Sequence, residues 1–472
     1  MSTLRVPWIA WHELRASYRD GRVSGAAAIF VLLAGLAVFA SAANAREYER
    51  VQASAQSQSY EQWLSQGAKN PHSAAHFGVY AFRPLGALSL FDPGVHAFQG
   101  TSVYLEAHKA NDLRDAPADD APSLTRLGRS SAAALLQTLL PLIVFVLVAP
   151  SIAGERERGT LALLLAQGVS LRAVFWGKAM ALGVLFTLVL FCTGAASLAG
   201  ARVAHIPVSA ERAMGLLIGY GLYTFILVGI ALTVSAAART SRSALVSLLA
   251  IWSFVFLAGP RIAAYVARIE APLPLASAEA AALERDLDAE GEDRRDEELL
   301  AATFRRYGVR TEEELPIDFR GLSLQTSEEH DQAIYEQHRQ ALRARFAAQE
   351  AWLDGASLGL VGLAMARWSE AVSGTDRRHV DDFVDAAERH RRELVRRMNT
   401  YLIDHKPAKD GATSADEALW SQVAPFQYVP PAPKFAFAYA WSSLAVLFVW
   451  CLGVLAASEW VLRRHGRLEV AT

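Results

Sequence analysis

Three groups of residues in this 472-residue chain have types and spacings that could do chemistry. His72, His76, His96 and His108 share one polar stretch with Glu106, and imidazoles with a carboxylate are ligands for Cu or Zn. Glu106 and His108 stand at i and i+2, which suits a strand and fits poorly on one helix face. The same histidines serve equally as surface or packing residues, so a metal site depends on their meeting in space. The second group is Glu155-Arg156-Glu157-Arg158, followed by Gly159, Thr160 and Leu161, with Arg172 and Gly177-Lys178 beyond. Such a charged cluster can make oriented salt bridges to a partner protein; the plain alternative is a solvated loop. The third is Gln137, a polar side chain inside an apolar run. Polar groups at membrane depth line pathways or hold helices together by hydrogen bonds.

Other chemistries lack their motifs. There is no G-x-x-x-x-G-K-[ST] phosphate loop, because Gly177-Lys178 lacks both the upstream Gly and the Ser or Thr. ATP hydrolysis is therefore not expected on this chain, nor is any bound cofactor. There is no H-E-x-x-H zinc-protease motif. Cys192 and Cys451 both sit in apolar runs, which excludes a disulfide framework and a four-Cys zinc site. The net charge is -2 and no Lys/Arg-rich run tracks a phosphate backbone, so no nucleic-acid partner is expected.

Elements that could position these groups follow from charge segregation. Nearly uncharged stretches alternate with stretches dense in Arg, Glu and Asp, and a spanning helix needs about 20 apolar residues. Six spans are read at 23–43, 132–152, 174–198, 215–235, 244–266 and 435–461. In lipid every backbone group must be paired within the chain, so these are helices. Ala40 to Ala45 resemble a signal cleavage site, but the charges with Trp8 and Trp11 ahead of the run make an unusual leader, and a retained span is expected. Arg5, Arg15, Arg19 and Arg22, the Arg156–Lys178 group, Arg239 and Arg242, and Arg463, Arg464 and Arg467 all fall on one side of six spans. The positive-inside rule makes that side cytoplasmic, with both termini there, in an inner membrane.

The expected fold is all-α integral membrane, with six transmembrane helices and a large, mostly helical extracytoplasmic domain. Residues 1–22 form a cytoplasmic interfacial helix, in which Trp8, Trp11 and Arg15 suit the headgroup layer or simply anchor the first span. Residues 44–131 form a less regular extracytoplasmic segment, 153–173 a cytoplasmic coupling loop, 267–434 an extracytoplasmic helical domain and 462–472 a cytoplasmic tail. In the helical domain Phe383, Ala387, Leu394, Met398 and Leu402 share one helical face. The apolar stretch 356–366 is too short to span, and reads as a re-entrant segment or a buried helix.

The Glu155–Lys178 region resembles type-2 ABC transporter permeases of bacteria. In that family an E-R-E-x-G-T-L signature follows the second span and a G-K pair precedes the third. Phe91 to Gly94, Leu105 to His108 and Ser373 to Asp376 look similar to a long-loop branch of poorly defined substrate. The resemblance implies a permease subunit, in membrane lipid, paired with an identical or similar permease and with ABC ATPase subunits that carry ATP and Mg. It also implies outward transport, with Glu155 to Leu161, Lys178 and the N-terminal helix as ATPase-coupling residues. Gln137 is the candidate for lining a pathway, and the outer domain could receive a periplasmic protein. The rivals are an ABC-linked scaffold that transmits mechanical work without transport, a membrane-embedded enzyme, and a copper-handling transporter built on the four histidines.

Overall fold

The structure is a computed structural model that describes residues 5–119, 131–289, 291–407 and 412–468. Parts of the expected N-terminal helix, outer segments and tail, namely residues 1–4, 120–130, 290, 408–411 and 469–472, lie outside the described residues. Among the described residues the chain is almost entirely helical, with six helices long and apolar enough to cross a membrane.

Helix α1 (Arg5–Asp20) ends at Gly21, whose φ of 72° turns the chain into α2. Helix α2 (Arg22–Leu64) is unbroken over 43 residues. Its apolar first half matches the first expected span. Its second half is rich in Ala, Glu and Gln, which are good helix formers, so nothing stops the helix where the apolar run ends. At about 1.5 Å per residue it is roughly 65 Å long, twice a bilayer's hydrocarbon thickness. The segment expected to be less regular therefore begins as a helical continuation of the first span.

The short helix α3 (Pro71–Phe77) leads into an antiparallel sheet of β1 (Val79–Phe82), β2 (Ser102–Glu106) and β3 (Lys109–Ala110), in which Val79 faces Leu105 and Glu106 faces Lys109. The remaining long apolar helices are α4 (Ala132–Glu157), α6 (Leu171–Val203), α7 (Ala210–Ala237), α8 (Ser241–Glu270) and α15 (Pro433–Leu468). Between α4 and α6 lies α5 (Thr160–Ala166). Helix α4 carries a π-helical turn at Leu135–Leu139, immediately before Pro141. A proline ring clashes with the carbonyl four residues back, here that of Gln137. The freed Gln137 carbonyl accepts from Tyr223 Oη at 3.0 Å.

Helices α9 (Ala276–Asp288), α10 (Glu292–Tyr307), α11 (Phe319–Ser357), α12 (Val361–Ser373) and α13 (Arg377–Asp404) build most of the second large loop. Glu328 pairs with Arg391 and Arg343 with Asp385, so α11 and α13 run antiparallel. Phe383, Ala387, Leu394, Met398 and Leu402 are all buried on α13. The first four share a core with Trp63 of α2, with Ala74 and Ala75 of α3, with the sheet, and with Trp420 of α14 (Glu417–Trp420). Trp63 Nε1 donates to the Trp420 carbonyl at 2.9 Å. The two large loops therefore fold as one distal layer, at the opposite end of the bundle from α1.

The apolar stretch 356–366 is divided. Its first part ends α11, and its second begins α12, whose Val361, Ala364, Met365 and Trp368 lie in the same core as the long apolar helices. Trp368 Nε1 donates to the Gly215 carbonyl of α7 at 3.0 Å. A Cβ on Gly219 would stand 2.3 Å from Trp368 Nε1, whereas one on Gly221 meets nothing within 4 Å. Gly219→Ala should therefore cost about 1–3 kcal/mol by overpacking. Gly221→Ala should cost little. Thermal unfolding of the two variants in detergent separates them.

Candidate functional site

The charged signature residues and α1 meet at the proximal end of the bundle. Lys178, on the first turns of α6, is buried and binds two carboxylates, Glu13 of α1 at 2.9 Å and Glu155 of α4 at 2.8 Å. A buried ammonium is tolerable only with such partners. Beside it, a Cβ on Gly177 would stand 2.6 Å from Ile9 Cγ2, so the glycine lets α1 lie directly on α6. The Gly-Lys pair thus has a local reason: one residue gives close approach, and the next supplies the clasp.

Arg156 is turned inward. Its guanidinium donates to the Ala238 carbonyl at 2.6 Å and the Ala236 carbonyl at 2.9 Å, capping the end of α7. Glu157 accepts from Ser241 Oγ at the start of α8. Ser235 of α7 accepts from the backbone of Ile152 and Ala153 at 3.0 and 3.1 Å and donates to the Ala149 carbonyl at 2.7 Å, holding α4 where Pro150 interrupts it. Arg158, Gly159 and Thr160 are exposed. Gly159 adopts φ 74°, a left-handed turn that separates α4 from α5, and Gly168 at φ 77° closes the other end of α5. Leu161 is buried, while Leu163 is 64% exposed. Arg172 forms an ion pair with Glu459 of α15.

Trp8 and Trp11 on α1 face outward, 63% and 54% exposed. The Arg15 guanidinium lies 4.8 Å from the centre of the Trp11 ring. Of the candidate coupling residues, Glu155, Arg156, Glu157 and Lys178 thus bind within the chain, while Arg158 and the exposed leucine of α5 present an outward surface together with Thr160, whose hydroxyl donates back to the Glu155 carbonyl at 3.2 Å.

Gln137 sits far from this corner, near the distal ends of the long helices. Its amide donates to Tyr220 Oη at 2.9 Å, and Tyr220 Oη lies 3.1 Å from Ser369 Oγ of α12. Ser369 in turn donates to the buried Asp92, whose other oxygen accepts from the Gly94 backbone at 3.1 Å. The tight turn at residues 91–94 therefore dips into the bundle, with Phe91 edge-on to Tyr220. Gln137 joins α4 to α7 within this chain of hydrogen bonds.

The four histidines do not act as one set. His96 is buried, with its ring edge-on to Tyr48 at 5.4 Å, apart from the others. His72, His76 and His108 converge. Glu106, at the end of β2, accepts from the Asn111 amide and is not among them. The residues 355–359 match the letters of a G-x-S-x-G nucleophile elbow, but they end α11. Ser357 is buried and donates to the Asp354 carbonyl at 2.6 Å, with no strand-to-helix turn to expose it.

Several contributors give no signal in isolation. Glu13 is one of two acids in an Arg-containing helix, and Ser235, Glu328 and Asn399 sit in unremarkable local sequence. Only their partners, distant along the chain, mark them out.

Six long apolar helices, a re-entering polar turn and a charged corner that clasps an N-terminal helix define a multi-pass membrane protein of the transporter type. The chain matches the ABC-2 family transporter protein over residues 7–305 and belongs to that family; it is an ABC transporter membrane subunit, a transport rather than a catalytic chain, of a kind that associates with ABC ATPase subunits. Residues 277–429 match a domain of unknown function, DUF3526. No curated protein matches.

Proposed function

We propose that this chain is the permease subunit of an ATP-driven exporter, and that its ATPase docks on the corner made by α1 and residues 153–173. The observation that carries this reading is the Lys178 clasp. It joins α1, the end of α4 and the start of α6 through Glu13 and Glu155, so a push on α5 reaches three helices at once. Arg158, Thr160 and Leu163 form the docking face, and Glu155, Arg156 and Glu157 brace it from within. Trp8, Trp11 and Arg15 place α1 in the headgroup layer.

This corner collects the short-loop Arg and Lys residues, which supports placing it and both termini in the cytoplasm of a bacterial cell, with the distal layer outside the inner membrane. ATP and Mg belong to the partner. A second copy or a similar permease completes the assembly along apolar helix faces such as Val184, Leu188 and Phe191, which this chain leaves exposed. Outward transport is the direction the resemblance implies.

One observation favours a second reading, a mechanical transmitter without cargo. Helix α2 runs unbroken from the bundle into the distal core, where Trp63 is locked, so it is built as a lever. The two readings share the same ATPase contact.

The test is co-purification of the detergent-solubilised chain with the ATPase encoded nearest to it. Arg158→Glu combined with Leu163→Asp should weaken association by about 2 kcal/mol, roughly thirtyfold, as loss of an interface hot spot does. Unchanged retention would move the docking face elsewhere, and no association of the folded wild type would overturn the proposal.

A further inference from the structure

Three histidines of the distal layer are arranged as ligands around a common point. His72 and His76 lie one turn apart on α3, at i and i+4, and so project from the same face. His108 comes from the turn between β2 and β3. One ring nitrogen from each of the three lies within 4.8 Å of the other two, and His72 Nε2 stands 3.0 Å from His108 Nε2. A tetrahedral ion with bonds of about 2.0–2.1 Å holds its nitrogens about 3.3 Å apart, so closing on an ion needs only small side-chain shifts.

The outer nitrogens decide which atoms face the centre. His72 Nδ1 is 3.1 Å from Asn399 Oδ1, and the Asn399 amide nitrogen donates to Gln325 Oε1, which orients its oxygen towards the histidine. His108 Nδ1 is 3.1 Å from Glu328 Oε1, a buried carboxylate that also accepts from the His108 backbone N–H. Both acceptors require the hydrogen on Nδ1. The two Nε2 lone pairs then point at each other across 3.0 Å, an arrangement that repels unless a positive species lies between them. A single proton would satisfy two imidazoles; a metal ion satisfies all three.

We propose that His72, His76 and His108 bind a divalent transition-metal ion of the imidazole-preferring class, Zn2+ or Cu2+, with Glu328 and Asn399 as positioning residues. A histidine ligand whose other nitrogen is held by a carboxylate or amide is the common outer-shell arrangement of such sites. His76 is exposed, so the fourth position opens to solvent and the ion can exchange.

The site also has a structural consequence. His108 holds φ 63°, which a β-substituted residue adopts at a cost, and its carbonyl accepts from Tyr335 Oη at 3.4 Å. Glu328 and Tyr335 are on α11 and Asn399 is on α13, while the ligands belong to the first large loop. Ion binding therefore tightens the joint between the two loops of the distal layer. Metal binding at this joint is independent of the direction of transport and of whether there is cargo.

The test uses the full chain in detergent, stripped with a chelator and then equilibrated separately with Zn2+ and Cu2+. Bound metal is counted by mass spectrometry and unfolding is followed thermally. The expected result is one ion per chain of at least one metal, with a raised unfolding temperature. His76→Ala, at an exposed position that should not disturb folding, should lower affinity by more than about tenfold, and Glu328→Gln by roughly tenfold. His96→Ala should leave binding unchanged. No bound ion in the folded wild type, or full binding in His76→Ala, would overturn the proposal. Which metal binds identifies the ion.

Discussion

Arg391→Met should unfold the distal layer at a markedly lower temperature, at a cost of about 3–5 kcal/mol. Arg391 is 2% exposed. Its guanidinium donates to both oxygens of Glu388 at 2.9 Å, to Glu328 at 3.3 Å and to the Glu106 carbonyl at 3.2 Å. Methionine fills similar space, so the loss is electrostatic: two buried carboxylates keep their charge, Glu328 loses its arginine, and Glu388 keeps only the partly exposed Arg392 at 3.0 Å. A surface pair supplies the contrast. Arg396 and Glu393 are 2.6 Å apart but 56% and 47% exposed. Arg396→Met should cost less than about 1 kcal/mol. Equal unfolding temperatures for the two variants would show that the buried network contributes no more than a solvated pair.

The second large effect is expected at the other end of the molecule. Lys178→Met should leave Glu13 and Glu155 facing each other without their shared cation. Breaking a buried pair by removing one partner costs about 3–5 kcal/mol. Here the carboxylates are partly solvated, 27% and 17% exposed, so the lower end applies. Helix α1 should loosen before the bundle does, which limited proteolysis at the N-terminal end would detect. Adding Glu13→Gln and Glu155→Gln to Lys178→Met should restore much of the loss, because no unpaired charge remains. If Lys178→Met alone keeps α1 as protected as in the wild type, apolar packing at Gly177 and Ile9 holds the corner instead. The triple variant also serves the functional question, since it relaxes the clasp without a new charge on the outward face at Arg158.

Local pattern carried a large part of this protein. Spans were legible because lipid demands long runs of apolar residues, a property of consecutive positions that needs no partner. The buried face of Phe383, Ala387, Leu394, Met398 and Leu402 was legible for the same reason, since helical periodicity repeats within one element. The charged signature up to Lys178 could be found as a string, and its glycines at residues 159 and 168 mark turns that need a left-handed backbone.

What each charge binds was decided only by tertiary structure. Arg156 and Arg158 are equivalent letters in the signature, yet one caps α7 and the other faces outward. The end of the first apolar run gave no warning that α2 continues to Leu64, because polar helix formers extend a helix silently. The stretch 356–366 could be read two ways, and packing of Trp368 on Gly219 settled its second half against the long helices. Four histidines in one stretch looked alike, but only three meet, and the residues that aim them lie more than 200 positions away on α11 and α13. The physical reason is the same throughout. Apolarity and periodicity are properties of a segment and are written in consecutive residues, whereas a hydrogen bond or ion pair needs two groups brought together by the whole fold.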